Sequence, residues 1–590
     1  MYYFLAFVRP YLYALFMAHL HKKMKNGRPY YYIREIARVA GKPKVVNQVY
    51  LGTPERIMQM ASGKQDGLLV KIQAQEYGAL WLADLIDNDI DIAGIIDSVV
   101  PSATQERGPS VGEYFLYAVL NRMVDSRSKR ALPDWFAASA IQQIRPVDTK
   151  ALTSQRYWKK WDRVDAGQLA EIATRFFQKI GELESGSADC FMFDTTNYYT
   201  FMASDTESEL AQRGKNKEGR DWLRQVGVAL LVSRDTRLPL YYREYEGNRH
   251  DSKLFWQIAK DLFAVMDAAG DGKAELTLVF DKGMNAEDNI AAIDEHQRIH
   301  FITTYSTYYA EELIHVGLQN FQPVDTVKNR RLREKGCDDD QLVAWRTTGE
   351  YWGKERTVVV TYNPRTATRQ RYGFEKKLLR LQGEVHVMRT KVNNRERNWK
   401  NEAQIRQRYA DLCSELHLPA DLYTVELYQD KEQLCMSCRK NHYRINRYLD
   451  RFGKNIIITD NTNWETDEIV RASLDRYVVE DNFRQSKDDD LVSLMPLRHW
   501  TDSKIRCHIF SCIVALTYLR RIELQLQRAK VKMSANEAMD EMHRLHSCLI
   551  WKKGQRNAER MIEEPTNKQA DILKAFGFKV ANGVLQNAAR

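Results

Sequence analysis

Apolar and polar residues alternate along 28–52, RPYYYIREIARVAGKPKVVNQVYLG, on either side of Ala40-Gly41-Lys42. A period of two predicts paired strands, so 28–60 reads as a small basic β-hairpin. The period then lengthens. In VGEYFLYAVLNRMVDSRSKRALPDWF and AGQLAEIATRFFQKIGEL the apolar positions recur near every 3.6 residues, which predicts a helical domain over 61–185.

From 188 onward, short apolar runs and amphipathic stretches take turns. DCFMFDTTNYYTF is a strand ending near Asp194. VGVALLVSRDTRLPLYYREYEG is a hairpin turning at Arg234-Asp235-Thr236-Arg237. DSKLFWQIAKDLFAVMDAA has helical periodicity, with Asp251 placed to cap it. ELTLVFD is nearly continuous apolar sequence, as in the buried centre of a sheet, and it ends at Asp281. NAEDNIAAIDEHQ predicts a helix and IHFITTYS a further strand. Three strands, helix, strand, helix, strand is the order of a ribonuclease-H-like mixed sheet, an α/β fold. In that order the first and fourth strands are neighbours, and Asp194 and Asp281 converge.

The next acidic candidate, Glu480, is too far along the chain for a loop to connect it to Asp281. LVAWRTT, RTVVVTY, LYTVELY and NIIITD are strand-like, with basic helical material between them. Residues 325–465 therefore read as a largely β insertion within a catalytic core made of 186–324 and 466–525. HIFSCIVALTYLRRIELQLQ predicts a helix, and 526–590 has a mixed pattern with no assigned chemistry.

Composition narrows the class. Apolar residues make up 44% of the 590, enough for several cores. Lys+Arg 88 against Asp+Glu 78 gives +10, too small an excess to identify a nucleic-acid binder, so that case rests on local clusters. Eight scattered cysteines form no disulfide framework and suit a reducing compartment. Residues 1–27 open with an apolar stretch, MYYFLAFVRPYLYALF, interrupted by Arg9-Pro10. It lacks a charged leading region and a cleavage site, and it is short for a membrane span. It reads as translated upstream sequence ahead of a start near Met17 or Met24, and the expected compartment is the cytoplasm, with no membrane.

On a helix, Arg476, Glu480, Phe483 and Lys487 of RYVVEDNFRQSK fall within about 60° of one another. An Arg–Glu pair at this spacing is common on solvated faces, but Phe483 on the same stripe argues against full solvation. Each aspartate alone reads better as a turn cap. Together, Asp194, Asp281 and Glu480 offer hard oxygen donors without His or Cys, a set that selects Mg²⁺ or Mn²⁺. Two such ions about 3.5–4 Å apart serve in-line phosphoryl transfer. Arg476 and Lys487 then face DNA phosphates. The basic runs 328–335 and 389–408 are candidate phosphate tracks, where Trp399 or Trp464 could stack a base. Cys435, Cys438 and His442 lack a second ligand pair at finger spacing and read as ordinary residues.

Arg476, Glu480 and Lys487 match a signature Tyr-x2-Arg-x3-Glu-x6-Lys, with Ser473 at the tyrosine position. With YLG, NRMVDSRSK, DTTNYYTF, RGKNKEGR, LPLYYREYEGNRHD, DKGMNAEDN and VEDNFRQSK, the chain resembles DDE transposases of the insertion-sequence-four superfamily, in the branch numbered sixteen thirty-four. The resemblance implies that Asp194, Asp281 and Glu480 hold two Mg²⁺ or Mn²⁺ ions and that Arg476 and Lys487 grip DNA. It places the loop 213–220 near the metal site, making Arg213, Lys215 and Lys217 phosphate contacts. It also implies that the 61–185 domain binds DNA, and that the partners are terminal inverted repeats, target DNA and further copies of the chain. Cleavage would free a 3′-hydroxyl that attacks target DNA, with a hairpin intermediate as an option, in the bacterial cytoplasm at the nucleoid. Ser473 leaves the DNA-holding role of the family tyrosine unassigned. Two alternatives stay open: a nuclease of the same fold without strand transfer, and a domesticated DNA-binding protein that has lost the chemistry.

Overall fold

The computed structural model describes residues 17–25, 28–39, 42–61, 69–101, 108–184, 188–202, 206–214, 219–270, 275–431, 433–552 and 556–588. The apolar run 1–16, the turn residues Ala40 and Gly41, and the loop residues Lys215 and Lys217 lie outside them. The N-terminal alternation forms three antiparallel strands, β1 (Met17–Lys25), β2 (Arg28–Val39) and β3 (Lys42–Gly52), followed by α1 (Pro54–Ala61). β1 goes beyond the hairpin that the sequence predicts, because its first residues continue the apolar run before it.

β4 (Leu69–Glu76) leads into a helical block that includes α2 (Gly78–Ile90), α3 (Val111–Val124) and α4 (Ala166–Leu183). Ser110 and Asp165 close capping boxes with Glu113 and Gln168, satisfying the first free N–H groups of α3 and α4. The central sheet follows, with β5 (Cys190–Thr200), β6 (Arg224–Ser233), β7 (Pro239–Glu246), α5 (Asp251–Ala269), β8 (Leu276–Phe280) and β9 (Ile299–Tyr305). Its order is β7-β6-β5-β8-β9, antiparallel through the first three and parallel through the last three. The cap of α5 is His250; Asp251 is its first helical residue.

Asp194 does not end its strand. β5 pairs with β6 as far as Thr200, whereas its pairing with β8 stops at Met192. The strand thus ends for one neighbour and continues for the other.

The β-rich insertion that the sequence predicts is more helical than strand-like. β10 (Val343–Tyr351), β11 (Lys354–Tyr362) and β12 (Lys454–Thr459) extend the central sheet beyond β9. Between β11 and β12 stand α6 (Pro364–Asn393), α7 (Glu402–Leu416) and the paired strands Tyr423–Asp430 and Gln433–Lys440. Dense charge along α6 obscures a buried stripe at helical spacing, Phe374, Leu381, Val385, Met388 and Val392, which closes a small core with Ile405 and Met436.

The chain returns through α8 (Thr466–Leu474), α9 (Tyr477–Ser486), α10 (Asp502–Arg528) and α11 (Ala535–His543). The stripe around Glu480 does not lie within one helix: Arg476 is the N-cap of α9 and Lys487 its C-cap. α10 is buried along much of its length. Ile509, Phe510, Ile513 and Leu516 join α3 and α4 in one continuous core with Met192, Val279 and Ile302 from one sheet face. Phe191, Phe193, Phe280 and Phe301 pack on the opposite face with α5. The strand His546–Lys552 pairs with β4, joining distant parts of the chain. Among the described residues no helix is long and apolar enough to cross a membrane.

Candidate active site

Asp281 follows β8 and caps a short turn, Lys282–Met284. Its carboxylate accepts from the Lys282 N–H at 2.8 Å and from the Thr304 hydroxyl on β9 at 2.9 Å. Asn285 Nδ2 donates to the Thr304 carbonyl at 3.1 Å, which ties the turn to β9. Arg476 Nη1 stands 2.8 Å from Asp281 Oδ1. That nitrogen is buried, and it acts on the carboxylate chiefly through its charge. Burial alone would raise the Asp281 carboxyl. The Arg476 charge, the Lys282 N–H and the Thr304 hydroxyl outweigh it and hold the group below the usual carboxylate range.

β5 and β8 are in register at Met192 and Val279. Asp194 and Asp281 each lie two residues beyond this last pair, Asp194 where β5 continues against β6 and Asp281 just past the end of β8 with its backbone still extended. The period of two puts both on the face of Met192 and Val279. α9 packs on that same face, burying Val478, Val479 and Phe483 in the shared core. The Glu480 side chain is 56% exposed and stands 3.5 Å from Arg476 Nη2. One guanidinium therefore links Asp281 to Glu480.

α9 is fixed from behind. Arg520 on α10 donates to Asn482 Oδ1 at 3.1 Å and pairs with Asp481 at 2.6 Å and Glu523 at 2.7 Å. Asn482 Nδ2 donates to the Arg237 carbonyl at 3.2 Å, and Arg237 Nη2 donates to the Tyr477 hydroxyl at 3.1 Å. Arg234 pairs with Asp475 at 2.8 Å and also with Glu468.

The basic candidates lie farther along β5. Lys487 Nζ sits 5.4 Å over the ring of Tyr198, whose hydroxyl shares a 2.6 Å hydrogen bond with Ser486. Arg213 is exposed and pairs across from Arg224, which faces Thr200, roughly 20 Å from Asp194 along the strand. Gly214 and Gly247 make close backbone approaches at this end: a Cβ on Gly214 would come within 2.5 Å of the Gly247 carbonyl. The tryptophans are not free platforms. Arg408 covers Trp399 at 4.3 Å, and Trp464 packs against the main core while its carbonyl accepts from Arg346.

Among the described residues no three His, Cys, Asp or Glu side chains stand close enough to hold a metal ion, at the acidic site or at Cys435, Cys438 and His442. Around Asp281 and Glu480 the Arg476 guanidinium supplies the counter-charge. The chemistry of carboxylates such as Asp281, kept ionised by its neighbours, suits a hard divalent cation.

A family model described as the transposase DDE domain matches residues 199–518. The chain belongs to that family. The match takes in Asp281, Arg476, Glu480 and Lys487, and it begins beyond Asp194. The transposase is similar to the cryo-EM structure of piggyBac transposase in a synaptic complex with hairpin DNA, at 8% identity over 80% of this chain and 82% of that one, with a TM-score of 0.35. No curated protein matches the chain.

Sequence reasoning missed Thr304, Asn285 and the anchoring arginines Arg234, Arg237 and Arg520 of the transposase. Arg520 alone had a signal: it interrupts the apolar run of α10, where an arginine requires buried acceptors.

Proposed function

We propose that this transposase cuts DNA at the ends of an insertion sequence and joins the freed 3′-hydroxyl to target DNA, in cut-and-paste fashion, from a ribonuclease-H-like core built on β7-β6-β5-β8-β9. The observation that carries the reading is Arg476, which links Asp281 to Glu480, with Asp194 on the neighbouring strand β5 two residues beyond its last pairing with β8. Asp194, Asp281 and Glu480 would hold two Mg²⁺ or Mn²⁺ ions, whose chemistry is activation of the attacking oxygen and stabilisation of the leaving one. The chain's own residues do the rest. Thr304 and the Lys282 N–H orient Asp281 and keep it ionised. Arg476 gives Asp281 and Glu480 a common counter-charge and turns it to a DNA phosphate when those carboxylates are engaged. Lys487 grips a phosphate farther along β5, and Arg213, Lys215 and Lys217 extend that grip. Terminal inverted repeats and target DNA are the substrates, paired by more than one copy of the chain at the bacterial nucleoid.

Mg²⁺ and DNA carrying the element's flanking repeats, given to wild type and to Glu480→Ala, test the proposal. Cleavage by wild type alone is expected, and cleavage that survives the substitution contradicts it. A second reading, a DNA-binding member that has lost the chemistry, draws on Ser473 and on the Arg476 charge already shared by two of the acids. In that case wild type and Asp194→Ala bind DNA equally and neither cuts it.

A further inference from the structure

The excess positive charge of the chain is concentrated in one small element. Residues 17–61, which form β1, β2, β3 and α1, carry nine Lys and Arg against Glu35 and Glu55, a net +7, where all 590 residues give +10. The match to the DDE family begins at residue 199 and leaves this element out. Its charge is not spent within the chain. Lys22, Lys23, Lys44 and Arg56 are exposed. Among the described residues none of them pairs with a carboxylate. Clustered cations left in solvent attract a polyanion, and they are the electrostatic footprint of nucleic-acid binding.

Strand register gives the sheet two unlike faces. Leu20, Ile33 and Val49 stand opposite one another across the three strands and are exposed, so one face presents an apolar row. The neighbouring row, His21, Tyr32 and Tyr50, points to the other face. There the Tyr50 ring lies 5.1 Å from Tyr32 and 6.2 Å from Tyr30, and Lys23 stands opposite Tyr30. Arg34 and Gln48 make the next row on this face, and Arg34 Nε donates to Gln48 Oε1 at 2.6 Å. That bond fixes the guanidinium plane through a neutral acceptor. It removes none of the positive charge and uses neither terminal nitrogen.

Arginine and glutamine are the side chains that make paired hydrogen bonds to guanine and adenine edges in the major groove, which admits a two-stranded ribbon. β2 and β3 are such a ribbon, with Arg34 and Gln48 side by side across it.

We propose that this face of the N-terminal sheet enters the major groove of the DNA on which the transposase acts, with Arg34 and Gln48 reading base edges and Lys23 holding a phosphate. The inference rests on the reading of the chain as a DNA-cutting enzyme, and it adds the site that selects the sequence to be cut.

The test measures binding and cutting separately on the full chain, with a duplex carrying the element's flanking repeats and with a scrambled duplex. Arg34→Ala with Gln48→Ala should weaken binding to the repeats about tenfold or more while the scrambled duplex is held as before. Lys23→Ala should weaken both alike and lower the slope of log affinity against log salt by about 1. A photo-cross-linking residue at Tyr50 should capture DNA, and one at Val49, on the opposite face, should not. The cross-link is made with Arg34 and Gln48 intact, so it decides the case in which the double variant misfolds. Wild type that cuts the repeats while the double variant binds them as tightly overturns this inference alone. So does an equal loss on both duplexes, a cross-link from Val49 in place of Tyr50, or a Lys23→Ala defect confined to anionic phospholipid vesicles. Wild type that neither binds nor cuts DNA overturns the underlying reading as well.

Discussion

Asp281 and Glu480 touch the same guanidinium but are held in opposite ways. Asp281 stands at a strand end, inside a fixed set of donors: a backbone N–H, a hydroxyl from the next strand, and Arg476. Glu480 is mostly solvated and makes one long contact, and its position is that of the helix carrying it. Around Asp281 precision is local, built from hydrogen bonds within a few residues of the carboxylate. Around Glu480 it is remote, built from Arg520, Arg237 and Arg234 on the far side of α9. The strand acid is pre-organised by its own hydrogen bonds, and the helical acid by the anchoring of the helix that carries it.

That contrast sets an order of effects. Asp281→Ala should lower DNA cleavage by about 10³-fold or more while a binding assay changes little, since it removes a group acting directly on the reaction. Arg520→Ala should lower global stability by about 3 kcal/mol in denaturant titration, because it leaves Asp481 and Asn482 without their buried partner. It should also lower cleavage without touching the acids, whereas a purely local account of Glu480 expects no such loss.

Thr304→Val should cost no more than about 1 kcal/mol, because the Asp281 side chain is 38% exposed and solvent screens the contact. The folded-state pKa of Asp281 is lowered, so its contribution to stability is present above its unfolded value of about 3.9 and is lost as pH falls through the folded value. Removing the hydroxyl moves the folded value up, so acid unfolding of the variant should begin at higher pH, as followed by circular dichroism against pH. Glu480→Gln should change stability by less than about 0.5 kcal/mol while abolishing cleavage. A large stability loss there would place Glu480 among the structural residues and erase the contrast with Asp281.

Much of the central sheet is legible in the sequence. The apolar run ending at Asp281 is β8, the turn at 234–237 joins β6 to β7, and the predicted order places β5 beside β8. Local periodicity reports these because each strand is buried by its immediate neighbours. The end of β5 is misread for a related reason: whether a strand stops at Asp194 depends on which neighbour is asked, and composition cannot say that. α6 is hidden because its apolar stripe is narrow and its remaining surface is charged. The Thr304 hydroxyl and the arginines behind α9 act across distances of 23 to 245 positions in the chain, where no short motif reaches.

Divalent-ion stoichiometry in the DNA-bound protein tests the central claim most directly. Mn²⁺ titration followed by electron paramagnetic resonance should find two ions bound per chain in wild type, and fewer or markedly weaker ions in each of Asp194→Ala, Asp281→Ala and Glu480→Ala. Full binding at unchanged affinity in any one of the three would contradict a single site shared by all of them.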